Sequence, residues 1–151
     1  MTTGVVVAVC LGPGGIPKHP VDNAEVTPAG LVGDGHRYVE HGGDNRAVCL
    51  LAIESYASLA RDRASVTPPG VFGENLLTEG LDYGLLRPGD CLAVGPELRL
   101  RIHDVREPCG TLKSVDPRFP DLMLGRSGFV CSVMTPGIVA PGMSITILPT
   151  P

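Results

Sequence analysis

The run Arg106-Glu107-Pro108-Cys109-Gly110 puts a cysteine three positions after an arginine, directly after a proline and directly before a glycine. A cysteine that only fills a core needs none of these neighbours. A thiolate, the reactive and metal-ligating form of the side chain, is favoured by a nearby cation and by the N–H groups of a following helix. Arg106 supplies the cation, Pro108 fixes the backbone ahead of the thiol, and a short helix is expected in "TLKSV" just beyond it. On its neighbours alone, Cys109 is either a functional thiolate or a packed side chain, and both readings stay open. The other four of the five cysteines, Cys10, Cys49, Cys91 and Cys131, stand in apolar strings and read as small core hydrophobes. An odd count at wide spacing with no CxxC pair excludes a zinc knuckle and a thioredoxin-type motif.

Three further strings carry candidate chemistry. "GPGGIPKHP" (12–20) has the look of a phosphate loop, but Pro17 precedes Lys18 and His19 follows it. A nucleotide-hydrolysing loop needs glycine before the lysine and a hydroxyl residue after it, and its prolines remove backbone donors. Nucleotide hydrolysis is excluded, and Lys18 stays as a side chain that the loop can send into a pocket. "GLVGDGHR" (30–37) and "HGGDNRAV" (41–48) gather Asp34, His36, Arg37, His41, Asp44 and Arg46. His36, His41 and His103 do not amount to a metal site, because no third ligand stands at a suitable spacing; His41-Gly42-Gly43 reads as a tight turn. In "GVFGENLLTEG" (70–80), Glu74 and Asn75 precede a strand, where they orient a ligand or bond the local turn.

The elements that must position these residues are mostly strands. Twenty glycines and fifteen prolines interrupt short runs of Val, Ile and Leu, the pattern of a β-rich domain with many turns. Residues 4–10, 47–51 and 144–148 read as strands. In "LRLRIH" (98–103), Leu98, Leu100 and Ile102 alternate with Arg99, Arg101 and His103, which marks a half-buried strand. One helix is clear in "AIESYASLARDRA", where Ile53, Tyr56, Ala57 and Ala60 recur at helical spacing. Residues 11–46 read as a long loop of glycine, proline and polar residues, and loops of that length usually serve function. "RPGD" (87–90) and "TPG" (135–137) are turns. The expected fold is mostly β, an open-ended barrel with a few peripheral α-helices, with residues 1–151 as a single domain.

Charge and hydropathy narrow the partners. Net charge is −4 with no basic run, which argues against a nucleic-acid surface. Of the twelve basic residues only Lys18 and Lys113 are lysines; arginine suits bidentate recognition of phosphate or carboxylate, although a GC-rich genome gives the same bias. No apolar run approaches the ~20 residues that span a bilayer, and the N-terminus lacks a signal peptide's layout. No membrane association and a cytoplasmic location are expected; oligomeric state is left open.

Taken in order, "GLVGDGHR", "HGGDNRAV", "GVFGENLLTEGL", "RPGD" and "VREPCGTL" resemble the MOSC domain, named for the C-terminal domain of molybdenum cofactor sulfurases, and in particular its small stand-alone bacterial members. The likeness runs from about Lys18 to the C-terminus. It implies a barrel-like β fold and binding of the molybdenum cofactor (molybdopterin), with Cys109 as metal ligand or as a persulfide sulfur carrier. It further implies Lys18, Arg37, Arg46 and Arg106 as residues around an anionic pterin phosphate, and His41, Glu74 and Asn75 as pocket residues. Reduction of N-hydroxylated compounds with electrons from a separate reductase is the activity implied. The alternative is a non-catalytic carrier of sulfur or cofactor serving a separate cysteine desulfurase; pyridoxal phosphate would sit in that partner, since two lysines and 151 residues cannot supply its domain. One departure is Met143 in "APGMSI", where family members often have an aspartate after the glycine; a local turn change is expected.

Overall fold

The computed structural model describes residues 3–13, 18–35, 46–61, 69, 70, 72–106 and 128–149. Cys109, Arg37 and His41, together with the helix expected in "TLKSV", lie outside them. The strands are β1 (Thr3–Leu11), β2 (His19–Val21), β3 (Ala24–Thr27), β4 (Gly30–Leu31), β5 (Val48–Ala52), β6 (Leu76–Glu79), β7 (Cys91–Val94), β8 (Leu98–Val105), β9 (Phe129–Thr135), β10 (Gly137–Val139) and β11 (Ser144–Ile147), with α1 at Ile53–Arg61. Among the described residues, seven of them follow one another as β11-β7-β8-β9-β5-β6-β1, and β1 pairs back onto β11. The ring is a closed barrel, so the mostly β, barrel-like expectation holds. Neighbours in the ring are antiparallel except β5 and β6, which run parallel. A parallel pair needs a long crossover, and α1 with the residues after it provides this one.

The strand periodicity explains what the barrel encloses. Leu98, Leu100 and Ile102 of β8 point inward and are fully buried, while Arg101 and His103 face solvent. They join Val6, Leu50, Leu76, Leu92, Val94, Cys131 and Ile145 in the interior. A second, smaller core fills the space between the outer wall and α1, built on Ala8, Cys10, Leu51, Leu59, Phe72 and Leu77. Burying a side chain of this size contributes roughly 1.5–3 kcal/mol, so α1 is held by this layer more than by helix propensity.

Three expectations need correction. Residues 11–46 are not one long loop: β2, β3 and β4 lie within them, and β3 and β4 form a three-stranded sheet with β10. These strands have two to four residues, too short to show a period, and β3 takes its other partner from more than 100 positions away in β10. On α1, Ala57 is exposed and Leu59 is the residue that is fully buried; Ile53 and Tyr56 do pack on the inner layer. The heavy side chain sets the helix's rotation, because Leu59 gains more from burial than an alanine. Finally, Cys10 and Cys131 are core residues as expected, but Cys49 and Cys91 are only half-buried. Met143 closes a local turn, with its N–H bonded to the Ala140 carbonyl at 3.3 Å.

Candidate functional site

The segment Gly70–Asn75, just ahead of β6, is where the candidate residues meet. Asn75 takes the place of a further rung between β1 and β5. Its backbone N–H donates to the Cys49 carbonyl at 3.0 Å and its carbonyl accepts from Cys10 N–H at 2.7 Å. Its side-chain amide repeats the pattern: Oδ1 accepts from Cys49 N–H at 2.9 Å, and Nδ2 donates to the Cys10 carbonyl at 3.3 Å. The same Nδ2 donates to Asp34 Oδ2 at 2.9 Å.

Asp34 is the hub of a buried polar network. Lys18 Nζ approaches both of its carboxylate oxygens at 2.7 Å, and Gly12 N–H donates to Oδ1 at 3.0 Å. The Lys18 side chain is 7% exposed and that of Asp34 2%, so the lysine's charge is neutralised within the fold. A pair this deep is costly to break from one side, about 3–5 kcal/mol, because the remaining charge is left buried alone. Lys18 does enter the interior as the loop reading suggested, but its partner there is Asp34.

Glu74 closes the other side of the segment. Its carboxylate accepts from Tyr56 Oη at 2.6 Å, from Gly70 N–H at 3.1 Å and from Phe72 N–H at 3.2 Å. It thereby ties α1 to the turn, and the Tyr56 and Phe72 rings meet edge to face with centroids 5.1 Å apart. Burial and the Glu74 charge push the Tyr56 hydroxyl well above its ordinary range. Cys10, in the same layer, is raised to about 12 by burial first and the Glu74 charge second. Neither is an ionised nucleophile near neutral pH. Gly70 has φ of +96°, and a Cβ there would stand 2.1 Å from the Lys18 carbonyl oxygen. Lys18 N–H in turn donates to the Gly70 carbonyl at 2.8 Å. Only glycine lets these two backbones come so close.

Arg106 reaches the segment from the end of β8: its Nη2 donates to the Phe72 carbonyl, and its N–H to the Gly128 carbonyl at 2.9 Å. Arg46 is half-buried just before β5. Its Nε is buried and has no hydrogen-bond partner among the described residues. The structure therefore joins Lys18, Glu74, Asn75 and Arg106 through one short segment, and leaves the Arg46 Nε without an acceptor among the described residues. Asp34 and Tyr56 were missed as part of this network. The only signal in the sequence was Asp34's setting between Gly33 and Gly35, since its partners come from three other segments. Among the described residues no group of three or more His, Cys, Asp or Glu side chains is placed to hold a metal, and no helix is long and apolar enough to cross a membrane.

Comparison with known proteins agrees with the fold. The family model of the MOSC domain matches residues 37–146. Protein YiiM of Escherichia coli is 34% identical over 148 residues, covering 91% of this chain and 66% of its own. YflK of Bacillus subtilis, an uncharacterised protein, is 30% identical, covering 89% and 63%. A protein of Gibberella moniliformis named "Reductase" is 29% identical over 81% of this chain and 23% of its own length. The chain thus spans less than two thirds of the length of these curated relatives. Among solved structures, a hypothetical protein superposes with a TM-score of 0.82 at 30% identity, covering 99% of this chain and 70% of that one. YiiM from Geobacillus stearothermophilus superposes at 0.80 with 23% identity, over 97% and 75%, a likeness of fold.

Proposed function

The chain belongs to the MOSC domain family, and from that membership we propose that it binds the molybdenum cofactor, with Cys109 as the thiolate ligand of the metal and Arg46 as a donor to the pterin's phosphate. The observation that carries this is the Arg46 Nε, a cationic donor buried without an acceptor among the described residues. A buried donor left unmade costs roughly 1–3 kcal/mol, more when charged, so the site gains by receiving an anionic oxygen there. Lys18 has no such need, since Asp34 occupies it; its part is to hold the segment around Gly70. Arg106 keeps Phe72 in place through the carbonyl it bonds and sits three residues before Cys109, where its charge favours the thiolate. Arg37 and His41 join the pocket on the family resemblance alone.

Soft thiolate suits a second- or third-row metal. When bound, molybdenum would supply two-electron redox chemistry, and reduction of an N-hydroxylated compound with electrons from a separate reductase is the reaction we assign. The relative named "Reductase" favours this over sulfur carriage. The test is pterin retention by protein produced in a host with an intact cofactor pathway, wild type beside Arg46→Ala and Arg101→Ala. Arg46→Ala should retain about tenfold less pterin, the loss of one charge-assisted hydrogen bond. Arg101, on the outer face of β8, should be neutral. Equal retention in all three would remove Arg46 from the phosphate site.

A further inference from the structure

A cavity of about 310 Å³ opens beside the end of β8, lined by Tyr83, Leu86, Val105, Phe129, Ser55 and Arg87. It sits at the low end of the range for small-molecule sites, about 300–1,000 Å³. Its wall is aromatic: Tyr83 and Phe129 are stacked with centroids 5.5 Å apart and planes 29° from parallel. The Tyr83 hydroxyl is already bonded to Thr78 Oγ1 at 2.7 Å, so the ring presents its carbon face and no unmet polar group. Leu86 and Val105 add apolar walls. The backbone that frames it is tightly set, for Gly128 has φ of +81° and a Cβ there would stand 1.8 Å from the Leu50 carbonyl oxygen.

Two polar groups stand at this apolar space. Ser55 brings a hydroxyl from α1. Arg87 is pinned in place, its Nη1 donating to the carbonyls of Gly84 at 2.7 Å and Leu86 at 2.8 Å, which leaves Nη2 and Nε for an acceptor. The carboxylates of Asp82, Asp90 and Asp104 accept from the N–H groups of three lining residues, Gly84, Arg87 and Val105, and so stand close to the cavity. Three nearby negative charges oppose an anion. A flat ring offers the contact that a stacked aromatic pair prefers, and one acceptor atom answers the Arg87 donors.

We propose that this cavity is a binding site for a neutral, planar aromatic or heteroaromatic molecule of one or two rings bearing a hydrogen-bond acceptor. The site goes beyond the proposed function: occupancy needs neither Cys109 nor metal, so the two can fail separately. The test uses the cofactor-free chain titrated with quinoline at pH 8, read by the methyl resonances of Leu86 and Val105, with benzoate as the charged comparison. Quinoline should shift both residues saturably with a Kd of about 1 mM or tighter, the order reached by ligands of its size. Val105 is 47% exposed, so Val105→Trp can fill the mouth without disturbing the core; Ser55→Trp fills it from the helix side. Each should weaken quinoline at least about tenfold, while Ile138→Trp, exposed on β10, should not. No saturable shift up to about 10 mM, binding kept in either cavity variant, or benzoate binding as tightly as quinoline would overturn the proposal.

Discussion

Asn75 shows what a single side chain does in this fold. Replacing it with aspartate keeps the shape, removes the Nδ2 donor to Cys10 and Asp34, and sets a second carboxylate where that amide lay 2.9 Å from Asp34. Asn75→Asp should lose about 2–4 kcal/mol of stability, from an unsatisfied buried acceptor and a like-charge contact; the midpoint of urea denaturation reads it. Cys10 makes a pH prediction. Its thiol moves from 9.0 up to about 12 on folding, and burial raises Cys131 and Tyr83 as well. A folded value above the unfolded one means that stability is whole below about pH 9 and is lost as pH rises from there toward 12. Cys10→Ala should flatten that alkaline decline by up to about 1.4 kcal/mol per pH unit, and a decline of unchanged slope would count against the assignment. At this scale the sequence disclosed residue types but not partners. Glu74 and Asn75 stood out as an acid and an amide before a strand, yet Tyr56, Cys49 and Asp34 lie 18, 26 and 41 positions away from them. Whether the pair binds a ligand or the fold was therefore not readable from the string.

At the scale of elements, the turn Gly70–Asn75 couples β2's approach, α1 and β6. Two glycines test how much of that coupling is steric. Gly70 and Gly89 both have positive φ, +96° and +97°, but a Cβ at Gly70 meets the Lys18 carbonyl while one at Gly89 meets nothing within 4 Å. Gly89→Ala should cost only the left-handed backbone penalty, roughly 1–2 kcal/mol. Gly70→Ala should cost clearly more, about 3–5 kcal/mol, because Lys18 must move and its pair with Asp34 opens. Thermal melts of the two variants side by side check this; equal shifts would mean that the turn adapts freely. The β1, β5 and β8 strands and the helix were legible because each has enough residues to display an apolar run or a period, and β11 because Ile145, Ile147 and Leu148 stand together near the end of the chain. β3 and β4 were not, since their few residues lie in a stretch of glycine, proline and polar residues and their sheet depends on β10. The rotation of α1 was also hidden, because Leu59 and Ala57 compete for the inner face and only the layer beneath decides.

For the whole molecule, closure is the organising fact. β1 meets β11 through Thr3↔Thr146, Gly4↔Ile145 and Val5↔Ser144, so the ring is completed by segments far apart in sequence. Ending the chain at Pro141 should leave two open strand edges and abolish cooperative unfolding, which dispersion in an amide NMR spectrum reports directly; a well-dispersed spectrum would show that closure is dispensable. The β-rich barrel was visible from the spacing of Val, Ile and Leu runs between turns, and the five ordered strings pointed to the family before any geometry. The closure itself and the Asp34 network were not visible, since both are long-range pairings. Function at this scale turns on the cofactor. The most direct measurement is molybdenum content of the purified chain from a host with an intact cofactor pathway, wild type beside Cys109→Ser, with folding of both confirmed by circular dichroism. Molybdenum should stand near one per chain in the wild type and be lost in the variant. Molybdenum absent from both, or retained equally in the variant, would contradict Cys109 as the ligand and turn attention to persulfide on its sulfur.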